Sequence, residues 1–480
     1  MISLRDVVKK QIQTNSLLKN FDDEDSDWGC FDVLCSIDIQ QLKRRQLRKH
    51  LDARNEAITG TKRQMTKRLE MSIENERQRR IAESDEVEAQ HQIKARLEQQ
   101  GSIYGVGNDE FGQLGGGSNI STKSHFEIIL RGVKPRQVSC GGTIILAVTD
   151  DHIVYTWGGS KDGAIPRIID SVSEEEIVCT AVGSSYATGI SIGGDCFIWG
   201  RMGVETVVKE PVLFDQFNET DQIIAISSGE KHLCAITKEG SLRSWGYGAD
   251  GRLGAGKQMD SEYFPSPLLI KIPNNEKIES VSCGAIHALA ISQNSSRVYS
   301  WGSGAGGRLG HDTLTNRYSP EPVVALDGWN CISVSAGTWH SACVARRPPL
   351  KSGGFVFTWG SGFQGQLGQD KTTISAKPKI VEYFRTMHML AKEVVCGSHH
   401  NAVITSGGEL YTWGSNSNGC LGRSVKENRG IFTPEPGHCI GFGSVVDRIA
   451  RGLPRSVCCG KGYTIVATHP YDEPNTKGSS

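Results

Sequence analysis

A ten-residue phrase keeps returning along this chain. "WGSGAGGRLG" begins at Trp301, "WGYGADGRLG" at Trp245, "WGSGFQGQLG" at Trp359 and "WGSNSNGCLG" at Trp413. "VGNDEFGQLG" begins at Val106, and looser copies start at Trp157 and Trp199. The seven copies are 51, 42, 46, 56, 58 and 54 residues apart. A second phrase recurs in phase with the first: an apolar run, Gly, two residues, often His, then another apolar run. "VSCGAIHALAI", "VSAGTWHSACV" and "VVCGSHHNAVI" are clear examples. Units of about fifty residues, each too small to bury its own apolar face, must stack on one another.

Three of the copies spell G-x-G-x-x-G, among them Gly302, Gly304 and Gly307. A dinucleotide site needs one such loop, set between a strand and a helix. Here the glycines follow β-rich "VYSW" and lead into loop, so they are read as turn residues that permit positive φ. Segments such as "HALAI" and "RVYSW" are strands separated by polar turns. Seven four-stranded units closing radially make an all-β, seven-bladed β-propeller. The first copy starts at "SIYGV" without preceding strands, and the last runs on into "SVCCGKGYTIVATH". The two chain ends therefore share one blade, which leaves no open sheet edge.

The repeated side chains are read as structural. His232, His287, His340 and His400 occupy one slot, with Tyr186 and Tyr463 in two other copies. Tyr does not complete a zinc site, so these histidines are expected to bond backbone near the inner turns. Cys140, Cys283, Cys396 and Cys459 share a slot with Val182, Ser228 and Ala336, which marks a small packing position. The 14 cysteines contain no C-x-x-C pair, and a reduced compartment is expected. No catalytic constellation stands out; no enzyme activity, cofactor or metal is expected. No signal peptide or membrane span is expected either.

The repeats resemble the regulator-of-chromosome-condensation (RCC1-like) family, over roughly residues 101 to 470. The resemblance rests on Cys-Gly-x-x-His, an apolar strand, then Trp-Gly and a closing Gly-x-Leu-Gly. It implies the seven-bladed fold. It also brings in the family's founding role as a chromatin-bound guanine nucleotide exchange factor for the small GTPase Ran. The copies at Trp157 and Trp199 are short and show no inserted wedge hairpin, so no exchange residues are carried over. "GTWHS" at 337 to 341 departs from the Gly-Trp-Arg-His-Thr of the plant ultraviolet-B photoreceptor, and photoreception is not expected.

The first hundred residues differ: few glycines, many charges. Residues 1–35 are an acidic segment containing "DDEDSD". Residues 36–70 read as helix, short loop and helix, resembling the SAP motif, a small DNA-binding module of chromatin proteins. Leu47, Leu51, Arg54, Gly60, Thr61, Lys62, Met65, Arg68 and Leu69 carry that match. Residues 42 to 69 hold ten Lys or Arg against Asp52 and Glu56, so 10 − 2 gives +8. This cluster stands out because the whole chain balances, 53 against 53. Lys43, Arg44, Arg48, Gly60, Thr61, Lys62, Arg63 and Lys67 are the expected DNA contacts, through phosphates and with weak sequence selectivity. Residues 71–100 read as a charged helical linker, and 471–480 as a disordered tail.

"ARRPPLKSGGF", residues 345 to 355, lengthens one loop, and Arg346, Arg347 and Lys351 are expected to project from it. With Trp339 they form the candidate partner-binding set. The resulting expectation is a monomeric, non-enzymatic adaptor in the nucleus, contacting DNA or chromatin histones through its N-terminus and proteins through propeller loops. The alternatives are an exchange factor for a Ran-like small GTPase, or a cytoplasmic scaffold in trafficking or ubiquitin transfer.

Overall fold

The computed structural model describes residues 50–51, 62–75, 78–79, 101–115, 122–160, 163–201, 207–217, 221–257, 263–369, 373–423, 432–439 and 452–470. Two compact units emerge, Met1–Ala95 and Arg96–Ser480. In the first, residues 62–75 are helical, and Met65, Leu69 and Ile73 are buried at a spacing of four. That is one apolar stripe of an amphipathic helix. The SAP-like reading extends over residues largely outside those described, as do the tail and most of the expected linker.

The second unit consists of seven four-stranded antiparallel sheets. Each inner strand ends one residue before the Gly of the Gly-x-x-His phrase, for example Ile278–Cys283 in blade four. The second strand begins at the His slot, as in His287–Ser292, and the third ends at Trp-Gly, as in Val298–Gly302. A fourth strand, Arg317–Pro322 in this blade, lies outermost. Second strands such as His232–Thr237, His287–Ser292 and His400–Thr405 are buried at every residue. Both sheet faces meet a neighbouring blade, which is why these strands read as continuous apolar runs rather than as an alternation.

The chain ends close the ring as expected. Blade seven pairs Leu453–Cys459 and Tyr463–His469 with Gly101–Asn108 and Thr122–Val133. The register Ile103↔Ala467 through Gly107↔Tyr463 runs without a bulge. Through its two C-terminal strands this blade is also tied to blade one. Ser456 Oγ accepts from Val138 N at 3.2 Å, and Tyr463 donates to Gly141 O at 3.0 Å.

Each glycine phrase forms the loop between third and fourth strands. Gly302 has φ +102°, and a Cβ there would stand 2.7 Å from His287 Cα and Ile286 O. The glycine is required by close backbone approach. No long helix follows it; the chain makes a three-residue 3₁₀ turn, Ala305–Gly307.

Candidate functional site

The repeated His and Trp side chains form staples between blades. His287 Nε2 donates to Ser341 Oγ at 2.8 Å, His340 Nε2 to Asn401 Oδ1 at 2.8 Å, and His400 Nε2 to Thr464 Oγ1 at 2.9 Å. Each acceptor follows the His or Tyr slot of the next blade. The acceptors then donate onward to Arg308 O, Gln366 O and Cys420 O. Two of those carbonyls also receive the next blade's indole, Trp359 to Arg308 O at 2.8 Å and Trp413 to Gln366 O at 3.0 Å. The histidines therefore bond side chains of the following blade, not the local backbone the sequence suggested. The two tyrosines do reach backbone: Tyr186 donates to Gly229 O and His232 O, Tyr463 to Gly141 O. Burial holds His340 at a pKa of about 4, and His232 and His400 at about 3. These are neutral structural groups, sealed from substrate.

One staple is missing. Ala288 stands where Ser341, Asn401 and Thr464 stand, and neither ring nitrogen of buried His232 has a partner among the described residues. Trp245 Nε1 is also unpartnered among them. Phe214 stacks on its indole at 5.5 Å, with Phe217 edge-on at 5.5 Å. Ten of the twelve described thiols are likewise buried, and Cys140 and Cys179 are half-buried. The twelve described cysteines are free, and burial raises Cys196, Cys396, Cys420 and Cys439 to about 12.

The exposed chemistry lies in the loops, and the structure divides the candidate partner set between opposite faces. Trp339 directly precedes the strand His340–Arg346, and Arg346 ends it. Seven extended residues put them about 20 Å apart. The lengthened loop is present between His340–Arg346 and Phe355–Gly360. Arg346 Nη1 donates to Lys351 O at 2.7 Å. Arg347 lies over the Trp329 ring at 4.0 Å and donates to Gly328 O and Asp327 O. Arg347 and Lys351 are exposed, and Arg346 is half-buried.

On the other face, Trp339 is 43% exposed. Beneath its ring, at 4.3 Å, lies the guanidinium of Arg308, from the glycine loop of blade four. Arg308 is fully buried, and burial lowers its pKa to about 10. Its Nε donates to Ala305 O and its Nη1 to Thr338 O, each at 2.7 Å. Its Nη2 has no partner among the described residues. Ser361 N bonds Trp339 O at 2.9 Å, and Phe363, two residues on, is 61% exposed. Sequence reasoning singled out Trp339 but missed Arg308. The available signal was an Arg where "FGQLG" and "QGQLG" have Gln.

Among the expected DNA contacts, Lys62, Arg63 and Lys67 are exposed on the helix of residues 62–75. Arg63 and Lys67 stand four apart, away from the Met65–Leu69–Ile73 stripe. Lys43, Arg44, Arg48, Gly60 and Thr61 lie outside the described residues.

Seven sheets, several of them stapled to the next by His or Trp, with glycine loops on one face and the two ends of the propeller zipped into one blade, define a repeat β-propeller that presents its loops for interaction. The chain belongs to the RCC1-like domain family, whose profile matches residues 159–466. Its relatives include the E3 ubiquitin-protein ligase HERC2 of Homo sapiens, 29% identical over 321 residues, covering 62% of this chain and 6% of that protein. The ultraviolet-B receptor UVR8 of Arabidopsis thaliana is 36% identical over 208 residues, covering 43% of this chain and 45% of that one. The chain thus spans less than half the length of either relative. Among solved structures, human WBSCR16 superposes with a TM-score of 0.65 at 20% identity, covering 77% of this chain and 99% of that one. Prp20p of Saccharomyces cerevisiae, whose structure was reported with its binding to Gsp1p and histones, gives 0.64 at 17%, covering 78% and 93%. Among the described residues, no helix is long and apolar enough to cross a membrane.

Proposed function

We propose that the chain is a non-enzymatic nuclear adaptor: its propeller docks a protein partner on the face that carries Trp339, and its basic N-terminal segment holds DNA. The observation that carries the propeller half is the contrast between interior and loops. Every slot-repeated His is sealed between blades, whereas Trp339 and Phe363 stand exposed, and the Arg308 guanidinium under Trp339 has an Nη2 without a hydrogen-bond partner among the described residues. Exposed aromatics and arginine are the side chains that dominate protein interfaces. The DNA half rests on the +8 segment, of which Lys62, Arg63 and Lys67 are exposed on an amphipathic helix. A partner such as a histone or a small GTPase is compatible with the binding named for Prp20p.

Two measurements on the full chain test this reading. Duplex DNA should bind with strong salt dependence, and Lys62→Glu with Arg63→Glu should weaken it. The chain should also fail to accelerate GDP release across a panel of small GTPases when present in catalytic amount. Turnover there replaces the adaptor reading by nucleotide exchange. Salt-insensitive or absent DNA binding removes the chromatin half.

A further inference from the structure

The glycine loops of blades three and four are near copies, "GADGRLG" and "GAGGRLG", and the difference between them is informative. In blade three, Arg252 Nε donates to Ala249 O at 2.7 Å, and Nη2 faces the Asp250 carboxylate at 3.5 Å. In blade four, Arg308 Nε makes the same bond to Ala305 O at 2.7 Å, but Gly306 occupies the place of Asp250. The backbone is the same in both, with φ +64° at Asp250 and +70° at Gly306. Blade four thus keeps the cation and lacks the carboxylate that its neighbour supplies from within the loop.

A side chain can be accommodated at Gly306. A Cβ on Gly306 would meet only Ser361 Cβ at 3.6 Å, Ser361 N at 3.9 Å and Trp339 O at 4.0 Å. These are ordinary van der Waals contacts at a half-buried position next to the Trp339 carbonyl. The other loops do not leave this gap. Where Gln stands in the Arg slot, its Oε1 accepts from the backbone two residues back: Gln113 from Phe111 N and Gln366 from Gln364 N, both at 2.8 Å. Among the described residues, Arg308 alone combines a buried guanidinium, an Nη2 without a partner and an exposed aromatic roof. The Asp250 carboxylate of blade three acts on Arg308 through space, while its direct contact is with Arg252, so an incoming anion gains by making the direct pair with Nη2.

We propose that Arg308, Gly306 and Trp339 form a recognition site for a carboxylate of a partner protein segment, flanked there by an apolar residue that covers Trp339 and Phe363. Nη2 is sealed in the free protein, so the carboxylate enters over Gly306 and, as the Trp339 roof gives way, meets Nη2 where Asp250 meets Arg252. This rests on the adaptor reading and gives its partner a chemistry: an acidic side chain or a chain-terminal carboxylate next to a large apolar group.

The test uses the full chain and an array of acetylated, amidated dodecapeptides. Each carries one central Glu between Leu and Phe, and each has a twin with Gln in place of Glu. A third arm carries no acid except a free C-terminal carboxylate. Two variants complete the design. Gly306→Asp supplies the carboxylate from within, as blade three does. Arg308→Gln installs the residue that blades five and seven already carry, so the loop has a native precedent. The expected result is at least tenfold tighter binding of an acid arm than of the Gln twins to the unaltered chain, with that preference abolished in both variants. Which acid arm binds identifies the source of the carboxylate. Equal binding of Glu and Gln twins without a C-terminal preference, or an acid preference that survives Gly306→Asp, overturns the proposal. Capture of a nuclear partner that Gly306→Asp leaves unchanged would also overturn it, while the adaptor reading would stand.

Discussion

Replacing Ala288 by Ser should stabilise this protein, although it adds a polar atom to a fully buried position. In blade five, Ser341 Oγ accepts from His287 Nε2 at 2.8 Å and donates to Arg308 O at 2.7 Å, a carbonyl that also takes Trp359 Nε1. One blade earlier the same groups wait around Ala288. His232 Nε2 is buried without a partner among the described residues, and Arg252 O takes Trp301 Nε1 at 3.0 Å. A hydroxyl on residue 288 would find both its donor and its acceptor in place. Leaving a buried donor unmade costs about 1–3 kcal/mol, whereas a satisfied hydrogen bond contributes about 1 kcal/mol net. Allowing for the crowding of one extra oxygen, the expected gain is about 1 kcal/mol. For a propeller of about 370 residues, an unfolding entropy of about 2.1 cal/mol/K per residue turns this into a Tm rise of about 1–2 °C. The mirror change, Ser341→Ala, strips two buried bonds and should lower Tm by about 3–4 °C on the same scale. Scanning calorimetry at pH 7.5 resolves both shifts. His232→Phe supplies the control, because the gain from Ala288→Ser must vanish in the double variant. A fall in Tm for Ala288→Ser, or a gain that persists on the His232→Phe background, would refute the staple argument.

Acid should loosen the ring. The staple histidines have folded pKa values below the unfolded value of about 6.5: about 4 for His340 and about 3 for His232 and His400. The unfolded chain binds protons first, so this stability is complete above about pH 6.5 and is lost as pH falls toward the folded values, by about 1.4 kcal/mol per pH unit for each histidine. Tm measured from pH 7 to 4.5 should fall steeply, and His340→Gln should make the fall shallower. Gly302→Ala, at φ +102° with His287 Cα 2.7 Å from the new methyl, should cost about 2–4 kcal/mol, read as a lowered denaturation midpoint. Lys62→Glu with Arg63→Glu should weaken duplex binding across all sequences alike. The slope of log affinity against log salt should shrink by about one for each phosphate no longer neutralised.

The spacing of the glycine and histidine phrases settled the ring, the number of blades and the shared closing blade. A repeat that cannot bury its own face has few ways to assemble, and missing strands at one end matched spare strands at the other. The +8 segment and the Met65–Leu69 stripe were legible for the same reason, since charge and helical period are local properties. Tertiary structure alone decided which loops meet. Trp339 and Arg346 are seven residues apart, yet a strand holds them on opposite faces, and Trp339 instead meets Arg308 from another blade. Arg308 reads as one more surface cation until its neighbours are known. Its burial, its missing carboxylate at Gly306 and its indole roof become visible only when a different repeat packs against it, and sequence order carries no record of which blades touch.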